Sequence, residues 1–391
     1  MTASPRWSWL LAAATIAAGV ALVLLSPDRA TALVERLGPV LLFVVAMSVV
    51  VNLAADAGAF DAIADGLRRV VLPGCSERAA TWVHVVVLST FATVFLSLDT
   101  TAIMVTPLAV ALARRSGAGL WAIGLTVVWI ANICSLLLPV SNLTNLLAVS
   151  GGMFHGTGDY LAQMWRPAVV ALAVAAVASW VAYRGEPGGA DDAVPTGPAS
   201  DRPGGHDRRL RISLIVLGLL VPLLVSPVPY WLSTAVAALV LVTVSLRSAR
   251  PSVTSGLVPW TSLLFVTALS TVAAALHAAG AAEVISRLVG SGEDSTGGLL
   301  LIGGAGALLA NLINNIPAFL ALDVGVSQAS GMAALLVGVN AGPIVTPWAS
   351  LATLLWHDQL RRSGVDVPWR RYVLVGCVLV PIAVVLPILA I

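Results

Sequence analysis

Lysine is absent from this 391-residue chain, cysteine occurs three times, and charged residues make up only 10% of it. So few charges exclude an ordinary water-soluble domain, in which charged residues are about a quarter of the total. With arginine as the only strong base and a net charge of +2, the chain has no basic surface for a nucleic-acid partner. Cys75, Cys134 and Cys377 are far apart in sequence, form no Cys-x-x-Cys pair and have no histidine at ligand spacing. A disulfide framework and a structural zinc site are thereby excluded, and no cofactor is expected. Walker-type glycine loops, His-Glu-x-x-His and Gly-x-Ser-x-Gly are also missing, so the sequence reads as a non-enzyme.

What is present is apolar. Hydrophobic residues make up 58% of the chain and the mean hydropathy is +0.95. Runs such as Trp7 to Leu25, Val40 to Ala55, Pro167 to Tyr183, Ile212 to Val225 and Tyr372 to Ile391 lead to about ten to twelve membrane segments by length. The first run follows Arg6 without a small-residue cleavage pattern and a soluble domain after it, so it reads as a retained span. A multi-pass protein of the inner (plasma) membrane is expected, with the lipid bilayer as its surroundings.

Residues 184–209 form the one long polar stretch, rich in Pro, Gly, Asp and Arg, and read as a flexible linker. They divide the chain into an N-terminal transmembrane helix and loop (1–36), a first transmembrane repeat (37–183), the linker, and a second repeat (210–391). The repeats are visible as a register. NICSLLLPVSNLTNLL (132–147) aligns without gaps on NAGPIVTPWASLATLL (340–355), matching Asn132 to Asn340, Pro139 to Pro347 and Leu143 to Leu351. Ahead of each lies an apolar segment interrupted by polar residues, Asp99-Thr100-Thr101 in one and Asn311 with Asn314-Asn315 in the other.

The flanking charges give each unit a direction. Arg114 and Arg115 follow the Asp99 segment, and Asp159 follows the first broken segment; Asp323 follows the Asn314-Asn315 segment, and Arg361, Arg362, Arg370 and Arg371 follow the second. Positive charge favours the cytoplasmic side. The arginine loops and the 184–209 linker are therefore expected inside, Asp159 and Asp323 outside, and the repeats facing opposite ways. The fold predicted is all-α and polytopic, with two inverted repeats that each carry a re-entrant hairpin and a broken transmembrane helix, the plan of a secondary transporter.

Between Arg78 and Arg114 the only ionisable side chains are His84 and Asp99. As one helix this stretch is roughly 52 Å long, too long for one span and too short for two. A hairpin with its tip at Asp99-Thr100-Thr101 is predicted, with Pro107 in the returning arm, and a second with its tip at Asn314-Asn315-Ile316-Pro317. Proline inside the other two segments leaves backbone groups unpaired at membrane depth, which is tolerated only where protein or a cavity surrounds them. The candidate solute- and ion-binding residues are Asp99, Thr100, Thr101, Ser141, Asn142, Thr144, Asn145, Asn314, Asn315, Asn340, Thr346, Ser350 and Thr353. A single Ser, Thr or Asn in an apolar helix serves equally as packing glue. Asp99 stands apart, because a carboxylate in the membrane is costly unless it is protonated, paired or hydrated; it is the candidate proton carrier.

Gly338 to Trp356, GVNAGPIVTPWASLATLLW, together with Asn314-Asn315-Ile316-Pro317 and Ser141-Asn142-Leu143-Thr144-Asn145, resembles the ArsB arsenite/antimonite permease family. That family lies within the ion transporter superfamily, which also holds the NhaD sodium/proton antiporters and divalent-anion symporters. The pattern differs at Asn340 and Ile344, where the family carries an acidic residue and a lysine. The resemblance implies proton-coupled efflux of a small oxyacid such as arsenite or antimonite, with sodium/proton antiport and dicarboxylate-type symport as the alternatives. It also implies a homodimer, a small inorganic solute exchanged with protons or sodium, and no ATP-binding domain, so that any ATPase partner is a separate chain.

Overall fold

The computed structural model describes residues 5–69, 74, 76–186, 206–247, 257–258, 260–280 and 293–391. Most of the 184–209 linker, and Cys75, lie outside the described residues. Every regular element among the described residues is helical. Five of the helices are long and apolar enough to cross a membrane, and several shorter apolar ones accompany them.

The chain begins with α1 (Pro5–Leu25) and the long α2 (Pro27–Asp56), which turn back on each other at Ser26, followed by α3 (Ala59–Arg68). Next comes α4 (Glu77–Phe95), whose N-terminus is closed by Ser76 accepting from the Ala79 N–H at 3.2 Å. It stops at Leu96-Ser97. The chain then returns as α5 (Leu98–Thr100), a π turn (Thr101–Val105) and α6 (Thr106–Ser116), which follow one another without a gap and pack back on α4. Gly117, at φ 65°, ends α6 in the left-handed conformation that glycine adopts without strain.

The first broken segment is α7 (Leu120–Ile133), an irregular stretch with a 3₁₀ turn at Pro139–Ser141, and α8 (Leu143–Ser150). α9 (Thr157–Gly185) closes the first half. The second half opens with α10 (His206–Val225), α11 (Tyr230–Leu246) and α12 (Trp260–Ala278). A second hairpin follows: α13 (Thr296–Ile313), started by Ser295 accepting from Gly298 N–H, and α14 (Asn315–Leu322). Then α15 (Ala329–Ala341) runs into an irregular stretch, continues as α16 (Leu351–Arg362), and α17 (Trp369–Ile388) ends the chain.

The packing partners recur between halves. α1 lies on α12 and α2 on α11, while α9 and α17 pack on each other. α7 and α15 sit innermost, with nearly every residue buried. The first break is buried along nearly its whole length, whereas the second leaves Trp348 exposed, and the polar backbone of the first finds a protein partner where Tyr160 donates its hydroxyl to Leu136 O at 2.7 Å. The N-terminal ends of α7 and α15 are each met by a remote carboxylate. Glu186 accepts from Ala122 N–H at 2.6 Å, and Glu293 accepts from the Ser327 and Gln328 N–H groups, placing negative charge at the positive end of each helix dipole.

Two contacts fix which helix ends lie together. Arg114, in the last turn of α6, donates to Ser363 O just past α16. Arg36 of α2 reaches Leu147 O near the end of α8 at 3.1 Å and Asp323, just past α14, at 2.7 Å. Thus α6 ends beside α16, and α8 ends beside α14.

α13 and α15 approach closely along a seam of glycines. A Cβ at Gly338 would collide with the Gly303 backbone, one at Gly342 with Ala307, and one at Gly303 with Ala334 O and Ile388. In lipid, where apolar side chains gain nothing by leaving hydrocarbon, such backbone-to-backbone packing supplies much of the helix association.

Candidate functional site

Two helix starts and two hairpin turns converge. Ser97 accepts from Thr100 N–H (3.2 Å), Asn142 from Thr144 N–H (3.3 Å), Asn314 from Ile316 N–H (3.2 Å) and Ser350 from Ala352 N–H (3.2 Å). Each is the N-cap of the helical stretch that follows it, and short polar side chains are chosen there because they satisfy otherwise orphaned amides. All four line one cavity of about 460 Å³. The positive ends of four helical stretches thus surround one space.

The two hairpin turns share a backbone feature. Ser97 (φ 144°) and Asn314 (φ 90°) are the positive-φ residues other than glycine among the described residues. Such conformations cost roughly 1–3 kcal/mol each and persist only when the surroundings hold them. At Asn314 the restraint is visible, since its amide donates to Trp348 O at 2.9 Å and the next N–H, of Asn315, donates to Ala349 O at 2.9 Å. The second hairpin is therefore tied to the second break.

Among the described residues Asp99 is the one ionisable residue lining the cavity, and no cationic side chain lines it. Its carboxylate has no hydrogen-bond or ion-pair partner among the described residues, and neither has the side-chain amide of Asn315. Thr100, Asn142, Asn314 and Ser350 also line the cavity. So do Ser48 and Asn52 of α2, with apolar residues of α2 and α12 such as Leu41, Met47 and Val266.

The other sequence-predicted residues hold the breaks together. Asn340 accepts from Asn142 (2.9 Å) and Thr144 (2.6 Å) and donates to Asn145 (2.7 Å), while Asn145 donates to Ser135 O and Leu138 O. Ser141 donates to Leu138 O, and Asn132 donates to Thr353 at 3.5 Å. Thr346 donates to Asn311 O. Thr101 pairs with Thr93 at 2.9 Å, joining the two arms of the first hairpin. The turn of that hairpin lies at Leu96-Ser97, two residues before the expected tip, so Asp99 sits in the first turn of the returning arm.

Sequence reasoning passed over Ser97, Ser48 and Asn52 as cavity residues. Ser97 carried a signal, a serine three positions before the threonine amide it caps; Ser48 and Asn52 carried none, since only the packing of α2 turns them inward. It also gave no role to Asn311. That side chain donates to Gly342 O (2.8 Å) and accepts from the Val345 and Thr346 N–H groups (both 3.1 Å), standing in for helix bonds that the second break lacks.

The chain is similar to known membrane proteins. The arsenical pump membrane protein of Escherichia coli K12 is 28% identical over 324 residues, covering 76% of this chain and 73% of that protein. The arsenical pump membrane protein of Yersinia enterocolitica is 28% identical over 319 residues, with the same coverage. The family model described as CitMHS, citrate transporter, matches residues 4–337. With most of its length matched in this way, and with its apolar helices, the chain belongs to the citrate transporter family and is a multi-pass inner-membrane transporter, not an enzyme.

Proposed function

We propose that this protein is a secondary transporter that exports a small uncharged oxyacid of the arsenite or antimonite kind, with Asp99 carrying the coupled proton. The observation that carries this reading is the Asp99 carboxylate, unpaired and the single ionisable group among the described residues of a cavity where four helix N-termini meet. A carboxylate there is stabilised by the helix dipoles when ionised and by its apolar surroundings when protonated. Such a group can exist in both forms as the site turns from one side to the other. The names of the arsenical-pump relatives support the solute.

Alternating access follows from inverted repeats, and the helix ends support them. In the first half the hairpin's returning arm ends at Arg114-Arg115 and the broken segment ends on the Arg36 side; in the second half the hairpin ends on the Arg36 side and the broken segment at Arg361-Arg362. The arginine-bearing ends are the cytoplasmic ones. The first hairpin then enters from the cytoplasm and the second from outside.

A second reading, anion symport, is favoured by the four positive helix ends. It is opposed by an ionised Asp99 in the same space with no cationic side chain to offset two negative charges. The test is a solute panel in respiring everted vesicles, read by the fluorescence of an acridine dye that reports the proton gradient. Arsenite or antimonite should dissipate the gradient, whereas citrate and other carboxylates should not. A response to citrate alone would sink the oxyacid reading.

A further inference from the structure

A second, smaller cavity of about 40 Å³ lies near the main one, lined by Leu33, Arg36, Leu37, Leu147, Ser270, His277, Leu320 and Asp323 among others. Its relation to the main cavity can be read helix by helix. α2 gives Leu41 to the large cavity and Leu37 to the small one, and α8 gives Leu143 and Leu147. α12 gives Val266 and Ser270, and α14 gives Ile316 and Leu320. On α2, α12 and α14 the two residues are four positions, or about one helical turn, apart, and on α8 the cavities come closer still, since Leu146 of the large one adjoins Leu147 of the small one. The cavities are therefore stacked on a single four-helix seam, about one turn of apolar side chains apart.

The direction of the stack is fixed as well. Along α2 the large cavity extends from Leu41 as far as Ser48 and Asn52, toward the end where Asp56 pairs with Arg209. It likewise follows the returning arm to Met104 and α16 to Leu355, toward the arginine-bearing ends. The small cavity lies on the opposite side, where α8 and α14 end. There Arg36 binds Asp323 and Leu147 O together and thus ties α2 to the ends of both arms. Inside it the Ser270 hydroxyl is buried and has no hydrogen-bond partner among the described residues. A buried polar group without a partner is costly in a closed apolar interface but is satisfied in a space that takes up water.

We propose that the seam between α2, α8, α12 and α14 is the route by which solute passes between the central cavity and the outer face, and that the Arg36–Asp323 pair is the gate that closes it in this conformer. The proposal rests on the transporter reading but not on the identity of the solute. Opening requires Arg36 to release both partners, after which the leucines at positions 37, 41, 143, 147 and 320 can part. Ser270 marks the midpoint of the opened route.

The route is tested in intact cells producing the chain with its three cysteines replaced by serine, together with Ser270→Cys, by the rate of reaction with a membrane-impermeant maleimide. Reaction should be slow with the pair intact and about tenfold faster with Arg36→Ala or Asp323→Asn, because removing one partner of a partly buried charge pair destabilises the closed state. Arg36→Asp combined with Asp323→Arg should return it to the slow rate, a rescue that loose folding would not produce. Equal rates in all variants, with the chain present in the membrane at the parent level, would overturn the gate. Reaction from the cytoplasmic face alone would overturn the route. Since the readout needs no solute, a failure to export arsenite would sink only the transport assignment.

Discussion

Asn340 donates to Asn145 at 2.7 Å, and the gap-free register of the two broken segments maps that pair onto Asn132 and Thr353, which meet at 3.5 Å. The same contact is thus made twice, each time between one half's helix before the break and the other half's helix after it. The copies are unequal. Asn340 is engaged by three side chains, whereas Asn132 leaves its carbonyl oxygen without a partner among the described residues.

This inequality predicts unequal losses. Asn340→Ala strands Thr144 and Asn145 in a dry interior and should cost on the order of 3 kcal/mol, whereas Asn132→Ala removes an orphaned oxygen, a long bond across the halves and a bond to Val128 O in its own helix, and should cost about 1 kcal/mol. Thermal unfolding of the purified variants in one detergent checks this. Equal shifts would mean that the two pairs are energetic equivalents after all.

Asp99→Asn keeps the shape of the side chain and removes its titration. The variant should fold and insert normally but lose solute accumulation driven by the proton gradient. Uphill transport with the parent pH profile would leave Asp99 a structural polar residue and send the search for the proton carrier elsewhere.

At the second hairpin turn, Asn314→Gly relieves a positive φ while giving up a helix cap and the bond to Trp348 O. The two effects oppose, so stability should change by less than about 1 kcal/mol. Asn314→Val loses the cap and keeps the strain, and should cost roughly 2–4 kcal/mol. Similar losses for both variants, measured by unfolding in detergent, would show that backbone strain is not what distinguishes this position.

Topology is best tested where side chains are exposed. Asp323 is engaged by Arg36 and nearly buried, so the exposed Asp294, which accepts from Gln328 a few residues past Asp323, is the better probe of that side. Asp159→Cys and Asp294→Cys should label with an impermeant reagent in intact cells, and Arg361→Cys only after the membrane is opened. Labelling of positions 159 and 361 from one side would defeat the opposite orientation of the two halves.

Cys134 is buried in the first break and Cys377 exposed on α17, so a three-thiol site for trivalent arsenic is not expected. Replacing all three cysteines with serine should leave most export in vesicles. Complete loss at normal expression would show that thiol ligation matters.

The helical architecture and the location of the breaks were legible in the sequence, because proline, paired asparagines and a lone carboxylate stand out in an apolar chain. So were Asp99, Asn142, Asn314 and Ser350 as neighbours, since the register of the two broken segments placed two of them and the polar interruptions the others. The division of labour was not. Whether Thr144 or Asn145 faces a solute or ties two breaks together depends on which way a side chain turns at an irregular backbone, and no periodicity encodes that. Ser48 and Asn52 were invisible for a related reason. On a 30-residue helix that packs on several partners, an isolated polar residue declares its surroundings only once the neighbours are in place.

The glycine seam between α13 and α15 makes the two halves unequal in a way that solubilisation exposes. Detergent loosens a membrane protein by wedging alkyl chains between helices, and it can enter only where side chains leave separable surfaces. Where Gly338 lies against the Gly303 backbone there is no such surface. The first hairpin is joined to α7 without a comparable run of backbone contact, so short-chain detergents should fray the first half while the second still holds together.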